Sequence, residues 1–164
     1  MVISDTHGDE TYLSMALDIF YKDNYTKLYH LGDIGRSSIR LLNPLSSKIK
    51  AVKGNNDFFL EDAKFKCDSY IEFDYVFNKL IVLTHGHYFS PYTYKENYDI
   101  FLYGHTHTGL IQKIGNQIIA CPGSISLPRD KYNSYIEINE KSIKLIDVET
   151  KKVISSELLW MRNI

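Results

Sequence analysis

Short apolar runs that each end at a glycine or a polar turn constrain the fold of this chain more than any other feature. Three such runs occur in the first third, at residues 1–4, 27–31 and 49–52. Helical periodicity over 9–24, with an apolar stripe and Asp9 or Thr11 as the cap, separates the first two. A shorter helix is predicted over 37–42, where Asn43-Pro44 would stop it. This alternation is typical of βαβ units and a parallel sheet.

The remainder of the chain is richer in predicted strands. These strands cover residues 70–73, 80–83, 100–103, 110–114, 118–121, 135–138, 143–148 and 153–159. Turns are predicted at Asn78-Lys79 and at Gly115-Asn116. We therefore expect an α/β fold in which two mixed sheets pack together and helices flank them, forming a single domain over residues 1–164.

Composition narrows the class of protein. The chain has 164 residues and a formal net charge of -1, so it offers no overall basic field and no extended nucleic-acid binding is expected. No apolar run approaches the roughly 18 residues that a membrane span needs. The two cysteines form no CxxC pair, and the N-terminus lacks the pattern of a signal peptide. We expect a cytoplasmic protein without a membrane partner.

Polar side chains gather at the ends of the predicted strands. They comprise Asp5, His7, Asp33, Asn55, His85, His105 and His107. In open α/β sheets, ligands bind beyond the carboxyl ends of the strands. Oxygen and nitrogen donors in this mixture suit Mn²⁺, Fe²⁺, Co²⁺, Ni²⁺ or Zn²⁺ better than Mg²⁺ or Ca²⁺. Seven ligands are too many for one tetrahedral site and about right for two metals that share a carboxylate.

The order of these motifs resembles that of the calcineurin-like metallophosphoesterases. The motifs are D-x-H at 5–7, G-D at 32–33, G-N at 54–55, H-G-H at 85–87 and G-H-x-H at 104–107. The later segment 122–129, PGSISLPR, is similar to one in the small single-domain phosphodiesterases of the YfcE type. That branch also includes the small subunit of eukaryotic retromer. The resemblance runs from about Val2 to Arg129.

The resemblance implies a four-layer αββα sandwich and a set of metal ligands. Asp5, His7 and His107 would hold one ion; Asn55, His85 and His105 would hold the other. Asp33 would bridge the two ions and act in catalysis. The implied activity is hydrolysis of a small organic phosphate ester by a hydroxide that bridges two divalent metals, of which we favour Mn²⁺. Relatives of the branch suggest a homo-oligomer.

Three features depart from the resemblance. Asn56 occupies the place where many larger relatives carry a histidine that contacts substrate, and an amide cannot act as a general acid. His87 is the candidate substitute; the alternative is that it merely packs or bonds the backbone. The first strand is very short because Met1 lies four residues before Asp5, which is expected to weaken the support of Asp5. The stretch between His87 and Gly104 is short for a branch that usually has a helix there.

Several residues have two readings. His30 lies within a strand and is expected to be a hydrogen-bonded core residue. Arg36 and Arg129 could contact phosphate, but surface or salt-bridge roles are favoured for both. The tyrosines of 88–98 could line the entrance and stack on an aromatic group, or pack in a core or subunit contact. Cys121 is expected to be a buried apolar residue.

Two other functions compete with the hydrolase of small esters. A metallophosphoesterase fold can serve as a non-catalytic scaffold for protein interactions, a reading that loss of metal ligands would favour. A nuclease is disfavoured because the chain has no basic excess.

Overall fold

Two β-sheets packed face to face form the centre of the computed structural model, which describes residues 1–58 and 60–160. The strands in chain order are β1 Val2–Ile3, β2 Leu28–His30, β3 Ile49–Ala51, β4 Ile71–Val76, β5 Lys79–Thr84, β6 Ile100–Leu102, β7 Gly109–Ile114, β8 Gln117–Pro122, β9 Ser134–Ile138, β10 Ser142–Asp147 and β11 Val153–Leu158. The first sheet has the order β11-β10-β9-β1-β2-β3, and the second has the order β4-β5-β6-β8-β7.

Both sheets are mixed, which confirms the predicted fold class. In the first sheet β1 pairs with β2, and β2 with β3, in parallel, whereas β9, β10 and β11 run antiparallel. In the second sheet β5, β6 and β8 are parallel and the two edge strands are antiparallel. The carboxyl ends of parallel neighbours share one edge of a sheet, and this edge carries the predicted polar turns.

Helix α1, Glu10–Lys22, covers the outer face of the first sheet. The Asp9 carboxylate accepts hydrogen bonds from the backbone N–H groups of Thr11 and Tyr12, which fixes the start of the helix. The helix ends just before Asn24, whose φ of 56° turns the chain. Ala16, Ile19 and Phe20 of its predicted apolar stripe are buried against the sheet.

Two local predictions are confirmed only in part. The helix predicted over 37–42 is divided into a 3₁₀ turn at Arg36–Ser38, helix α2 at Ile39–Leu42 and a second 3₁₀ turn at Asn43–Leu45. Pro44 does not end the helical path, because proline is tolerated in the first turn of a helical segment.

The β4–β5 turn is centred on Phe77 and Asn78 rather than on residues 78–79. Both have positive φ, 52° and 57°, which suits a two-residue hairpin turn, and Lys79 already pairs with Val76.

The main core lies between the sheets, where Val2, Leu31, Leu83 and Leu102 are fully or almost fully buried. The outer face of the second sheet is covered differently. Its neighbouring segment 86–99 contains no helix, in agreement with the expectation from its length. Tyr94 and Tyr98 from this segment pack on Phe101, each with ring centroids 5.3 Å apart. No helix within the described ranges 1–58 and 60–160 has the length and apolarity to span a membrane.

Candidate metal centre

Five strand ends bring the predicted ligands to one edge of the sandwich. Asp5 follows β1, Asp33 follows β2, and Asn55 lies beyond β3. His85 directly follows β5, and the 105–107 turn follows β6. The short β1 is not a weak support, because it lies between β2 and β9 and its two residues are fully buried.

Most of these side chains project from a left-handed backbone. The φ angles are 55° at Asp5, 46° at His7, 54° at Asp33, 69° at His105 and 58° at His107. A non-glycine residue in this region costs on the order of 1–3 kcal/mol when the surroundings hold it there, and such residues cluster at functional sites. Five of them at one edge indicate that the fold maintains these turns to aim the side chains.

Asp5, His7 and His107 form the first group of converging ligand atoms. The Nε2 atoms of the two histidines lie 3.2 Å apart. Asp5 Oδ1 lies 3.1 Å from His107 Nε2 and 3.8 Å from His7 Nε2. Three donor atoms therefore face one small space.

Asp33 and His85 form the second group together with Asp5. Asp33 Oδ1 lies 3.5 Å from His85 Nε2, while its Oδ2 lies 3.7 Å from His7 Nε2. The two oxygens of one carboxylate thus face histidines of both groups. Asn55 Oδ1 lies 3.0 Å from His85 Nε2, on the same side.

His105 also lies at this edge, with its ring centroid 5.1 Å from that of His85. Its backbone N–H donates to Asp5 Oδ2 over 3.1 Å. His87 is more peripheral: its ring centroid lies 5.3 Å from that of His85 and 6.2 Å from that of His105. Its Nδ1 atom is buried and has no hydrogen-bond partner among the described residues.

Backbone carbonyl groups orient two of the imidazoles. The Nδ1–H of His85 donates to the carbonyl oxygen of Leu31, and that of His107 donates to the carbonyl oxygen of Leu127, both over 2.7 Å. This leaves Nε2 of each neutral ring with a lone pair directed into the site. Second partners of this kind commonly fix the tautomer of metal-binding histidines.

The resulting contacts fit divalent cations. With these tautomers, His85 Nε2 and Asn55 Oδ1 are both acceptors only 3.0 Å apart, as are His107 Nε2 and Asp5 Oδ1 at 3.1 Å. Acceptors this close require a proton or a cation between them. Asp5 Oδ1 is also buried without a hydrogen-bond partner in the described structure. The donor set of carboxylate, amide oxygen and imidazole suits a transition-metal ion.

The two carboxylates have opposite pKa shifts. Burial is the main cause that raises the pKa of Asp5 above its usual range, and the nearby histidines offset it only partly. Burial also acts to raise the pKa of Asp33. The neighbouring His85 and the hydrogen bonds from Asn56 outweigh it, so that this pKa lies below its usual range. Asp33 is thus held as a carboxylate, whereas the charged form of Asp5 is costly in the metal-free protein.

The histidine pKa values follow the same balance. For His85, burial lowers the pKa, but the neighbouring Asp33 and Asp5 carboxylates raise it above the usual value overall. For His105 and His87, burial and the charge of His85 hold the pKa below the usual value.

Asn56 contacts the central carboxylate. Its backbone N–H donates to Asp33 Oδ1 over 2.9 Å, and its side-chain amide donates to Asp33 Oδ2 over 2.7 Å. It therefore orients Asp33 and donates to the two oxygens that face the histidines.

Asp57 is an important residue that sequence reasoning missed. Its buried carboxylate accepts hydrogen bonds from the backbone N–H groups of Asp33, Ile34 and Gly54, each over 2.8 Å. These bonds tie the turn after β2 to the turn after β3. The signal was present as the last residue of Gly54-Asn55-Asn56-Asp57, but a carboxylate in a turn sequence does not reveal which N–H groups it will accept from.

The serines of segment 122–129 support Asp5. Ser124 Oγ and Ser126 Oγ donate to the carbonyl oxygen of Asp5 over 2.7 and 3.0 Å. Ser124 Oγ also accepts from the backbone N–H of Leu127 over 2.8 Å, next to the carbonyl that binds His107. The sequence marked this segment only through its resemblance, whereas the structure gives it a physical role.

Gly104 permits close packing at the centre. A Cβ atom at this position would lie 2.0 Å from Ser4 Oγ and 2.9 Å from Asp5 Oδ2. Any side chain here would therefore displace the Ser4 hydroxyl and the Asp5 carboxylate.

The structure also places the residues for which the sequence allowed two roles. His30 is fully buried, lies 3.0 Å from Thr6 Oγ1 through Nε2 and accepts from the Gly32 N–H, which confirms a core role. Burial lowers its pKa to about 3. Arg36 is exposed and pairs with Asp62, in agreement with the salt-bridge reading. Arg129 is exposed. Cys121 is fully buried, as expected.

Comparisons with known proteins identify the family of this chain. The family model for the calcineurin-like phosphoesterase superfamily domain matches residues 1–142. A phosphodiesterase of Methanocaldococcus jannaschii is 29% identical over 135 residues, covering 74% of this chain and 81% of its own. Phosphodiesterase YfcE of Escherichia coli strain K12 is 25% identical over 174 residues, covering 94% of this chain and 95% of its own.

Solved structures show the same fold. The structure of the E. coli phosphoesterase Yfce has a TM-score of 0.91 at 24% identity and covers 97% of this chain and 98% of its own. Vps29 from Entamoeba histolytica, solved in complex with Zn²⁺, has a TM-score of 0.71 at 22% identity, with 96% of each chain covered. The chain therefore belongs to the calcineurin-like phosphoesterase superfamily, in the YfcE-type branch to which the retromer small subunit is related.

Proposed function

We propose that this metallophosphoesterase is a phosphodiesterase that uses two divalent cations, with Mn²⁺ favoured, to hydrolyse a small organic phosphate ester. The donor set and the paired acceptor contacts described above support the presence of cations. The phosphodiesterase relatives support the reaction class. The net charge of -1 supports a small substrate rather than a long nucleic acid.

The proposed ligands divide into two sets that share Asp33. Asp5, His7 and His107 hold one cation; Asn55, His85 and His105 hold the other. The observation that carries this assignment is the placement of Asp33: its Oδ2 faces His7 and its Oδ1 faces His85. A carboxylate so placed can serve two cations at once.

The bound cations would supply Lewis acidity toward the phosphoryl oxygens and a hydroxide nucleophile near neutral pH. The chain itself supplies orientation. Asn56 fixes the Asp33 carboxylate, and the carbonyl groups of Leu31 and Leu127 fix the His85 and His107 rings. Ligands held in place before substrate binds require little reorganisation during the reaction.

Proton donation to the leaving group is the weak step of the proposed mechanism. Asn56 cannot donate a proton as an acid, and it is already bound to Asp33. His87 is the remaining candidate donor near the centre, and its lowered pKa keeps its ring largely neutral at pH 7. We therefore propose that the enzyme prefers esters whose leaving groups need little protonation, such as aryl esters.

The test compares an aryl and an alkyl leaving group on otherwise matched phosphodiesters, under conditions where chemistry limits the rate. The proposal predicts much faster hydrolysis of the aryl ester, and loss of both activities in Asp33→Asn. Asp62→Asn, which changes an exposed carboxylate, is the matched control and should keep full activity. Equal rates on both esters would contradict the proposal that the enzyme lacks an effective proton donor for the leaving group. An active Asp33→Asn variant would contradict the assignment of Asp33 as a ligand shared by both cations.

The competing function is a non-catalytic scaffold. The observation in its favour is a row of exposed aromatic side chains on one face of the edge strand β4 and its turn, at Phe73, Tyr75 and Phe77. The complete set of seven proposed ligands disfavours it. Cation binding without turnover of any phosphoester would support the scaffold instead.

A further inference from the structure

The structure points to an aromatic platform formed by Tyr70, His87 and Tyr88. This platform stacks on a planar ring of the substrate, and that ring belongs to the retained group, which is the ester group that stays on phosphorus after hydrolysis. We infer that the substrate is a phosphodiester whose retained group is aromatic. This inference rests on the proposed function and names the substrate class for the same site.

The three rings are in mutual contact beside the metal centre. The His87 and Tyr88 centroids lie 4.3 Å apart with the rings tilted by 44°. Tyr70 makes edge contacts with both, with centroids 5.4 Å from His87 and 4.8 Å from Tyr88. His87 connects this group to the proposed ligands, because its centroid is 5.3 Å from that of His85.

Core packing does not account for these tyrosines. Tyr88 is 65% exposed and Tyr70 is 37% exposed, and neither belongs to a hydrophobic cluster of the described residues. Tyr94 and Tyr98, from the same segment as Tyr88, do pack in such a cluster. The aromatic segment is thus divided between core tyrosines and exposed rings, of which Tyr88 lies next to the site.

A positive charge lies next to the platform. Lys53 Nζ is 6.0 Å from the centroid of the Tyr70 ring. Lys53 also lies two residues before the proposed ligand Asn55, so its side chain branches from the backbone close to that ligand. A cation beside exposed rings favours a ligand that combines an aromatic ring with negative charge, as an aromatic phosphate ester does.

In-line displacement assigns the ring to the retained group. The leaving oxygen departs on the side of phosphorus opposite the nucleophile. That side faces away from the proposed ligands. The retained ester group instead projects sideways from phosphorus, along the rim of the site. The platform lies to the side of the proposed ligands, where its His87 ring neighbours His85 and His105. Stacking there is worth about 1–3 kcal/mol for a base or aryl ring.

Two substrates with the same leaving group isolate the platform from leaving-group chemistry. These are 4-nitrophenyl phenyl phosphate and 4-nitrophenyl methyl phosphate, which both release 4-nitrophenolate. The 4-nitrophenyl ester of adenosine 5′-monophosphate forms a third arm, which distinguishes a nucleobase from a simple aryl ring. Wild type, Tyr88→Ala, Tyr88→Leu and Tyr88→Phe are compared, with Tyr21→Ala as a control at an exposed tyrosine on helix α1.

The platform predicts that Tyr88→Ala and Tyr88→Leu raise KM for the ring-bearing substrates by about fivefold to a hundredfold. Both variants should leave KM for the methyl ester within about twofold, and Tyr88→Phe and Tyr21→Ala should resemble wild type on every substrate. A loss in Tyr88→Ala of the same size on the phenyl and methyl esters, or no loss on either, would overturn the inference.

Calorimetry tests binding without turnover. Phenyl phosphate and methyl phosphate, the products that retain each group, are titrated into Mn²⁺-loaded protein. Tighter binding of phenyl phosphate that Tyr88→Ala abolishes supports the platform, and equal binding of the two overturns it. A wild type that binds phenyl phosphate selectively but hydrolyses no diester would refute the proposed function while leaving the platform in place. Hydrolysis with the same kinetics on the phenyl and methyl esters would refute the platform while leaving the proposed function in place.

Discussion

Replacing Asp57 by asparagine is expected to destabilise the protein and to weaken metal binding, although Asp57 is not a proposed ligand. The carboxylate is 3% exposed and accepts from backbone N–H groups on two turns. Asparagine has nearly the same shape, so the substitution leaves packing unchanged. It replaces one accepting oxygen by an amide donor and removes the negative charge.

The magnitude follows from these hydrogen bonds. The least costly orientation of the amide faces Ile34 N–H, where one 2.8 Å bond is lost outright, at about 1.5–3 kcal/mol for a bond to a charged group. The bonds from Asp33 and Gly54 remain but become neutral, which costs each about half its strength. The expected loss is about 3–6 kcal/mol, or about 6–24 °C in Tm for a chain of this length.

Urea unfolding in the presence of a chelator measures the loss of stability directly. Calorimetry with Mn²⁺ should show affinity reduced about 10–100-fold, as is usual for groups that orient ligands. Asp62→Asn, an exposed member of a surface ion pair, should change stability by no more than about 0.5 kcal/mol. A loss below about 1 kcal/mol in Asp57→Asn, or one equal to that of the control, would refute the role given to this carboxylate.

Three further outcomes are expected. Gly104→Ala should abolish Mn²⁺ binding because its Cβ would displace Asp5. Gly115→Ala, whose Cβ would meet no atom within 4 Å, should bind Mn²⁺ normally and lose only about 1 kcal/mol of stability because of the positive φ at this position. Calorimetry measures the Mn²⁺ binding of both variants, and urea unfolding measures their stability. Asp5→Asn should raise the stability of the chelator-treated protein at pH 7, because burial raises the pKa of this carboxyl and its charged form is destabilising above that pKa, while added Mn²⁺ should stabilise the variant less than wild type. His30 has a folded pKa of about 3 against an ordinary value of 6.5, so the unfolded state binds the extra proton and stability should fall as pH drops below 6.5; His30→Gln should show a smaller fall between pH 7 and pH 5 in urea unfolding.

The placement of the site could be predicted because strand ends are visible in the sequence. Asp5, Asp33 and His85 each follow an apolar run, and parallel strands bring such ends to one edge. No sequence rule predicted the left-handed backbone at His105 and His107, since this conformation is imposed by the surrounding packing rather than by local preference.

Long-range hydrogen bonds were the other feature that the sequence could not reveal. Ser124 and Asp5 are 119 positions apart, and only the folded chain places the hydroxyl group against that carbonyl. The same holds for Asp57 and the N–H of Asp33, which lie on different turns. Local rules also failed where the sequence was compatible with two placements of one turn. Asn78 could be the first or the second central residue of the β4–β5 turn, and in the structure it is the second.

The most direct test of the two-cation account is the metal content of purified protein, measured with hydrolysis of bis(4-nitrophenyl) phosphate for wild type and Asp33→Asn. The account predicts about two Mn²⁺ ions per wild-type chain together with turnover. It also predicts loss of turnover and of at least one ion in the variant, because Asp33 faces both groups of ligands. A wild-type chain that binds a single ion and is fully active, or an Asp33→Asn variant that keeps two ions and full activity, would contradict it.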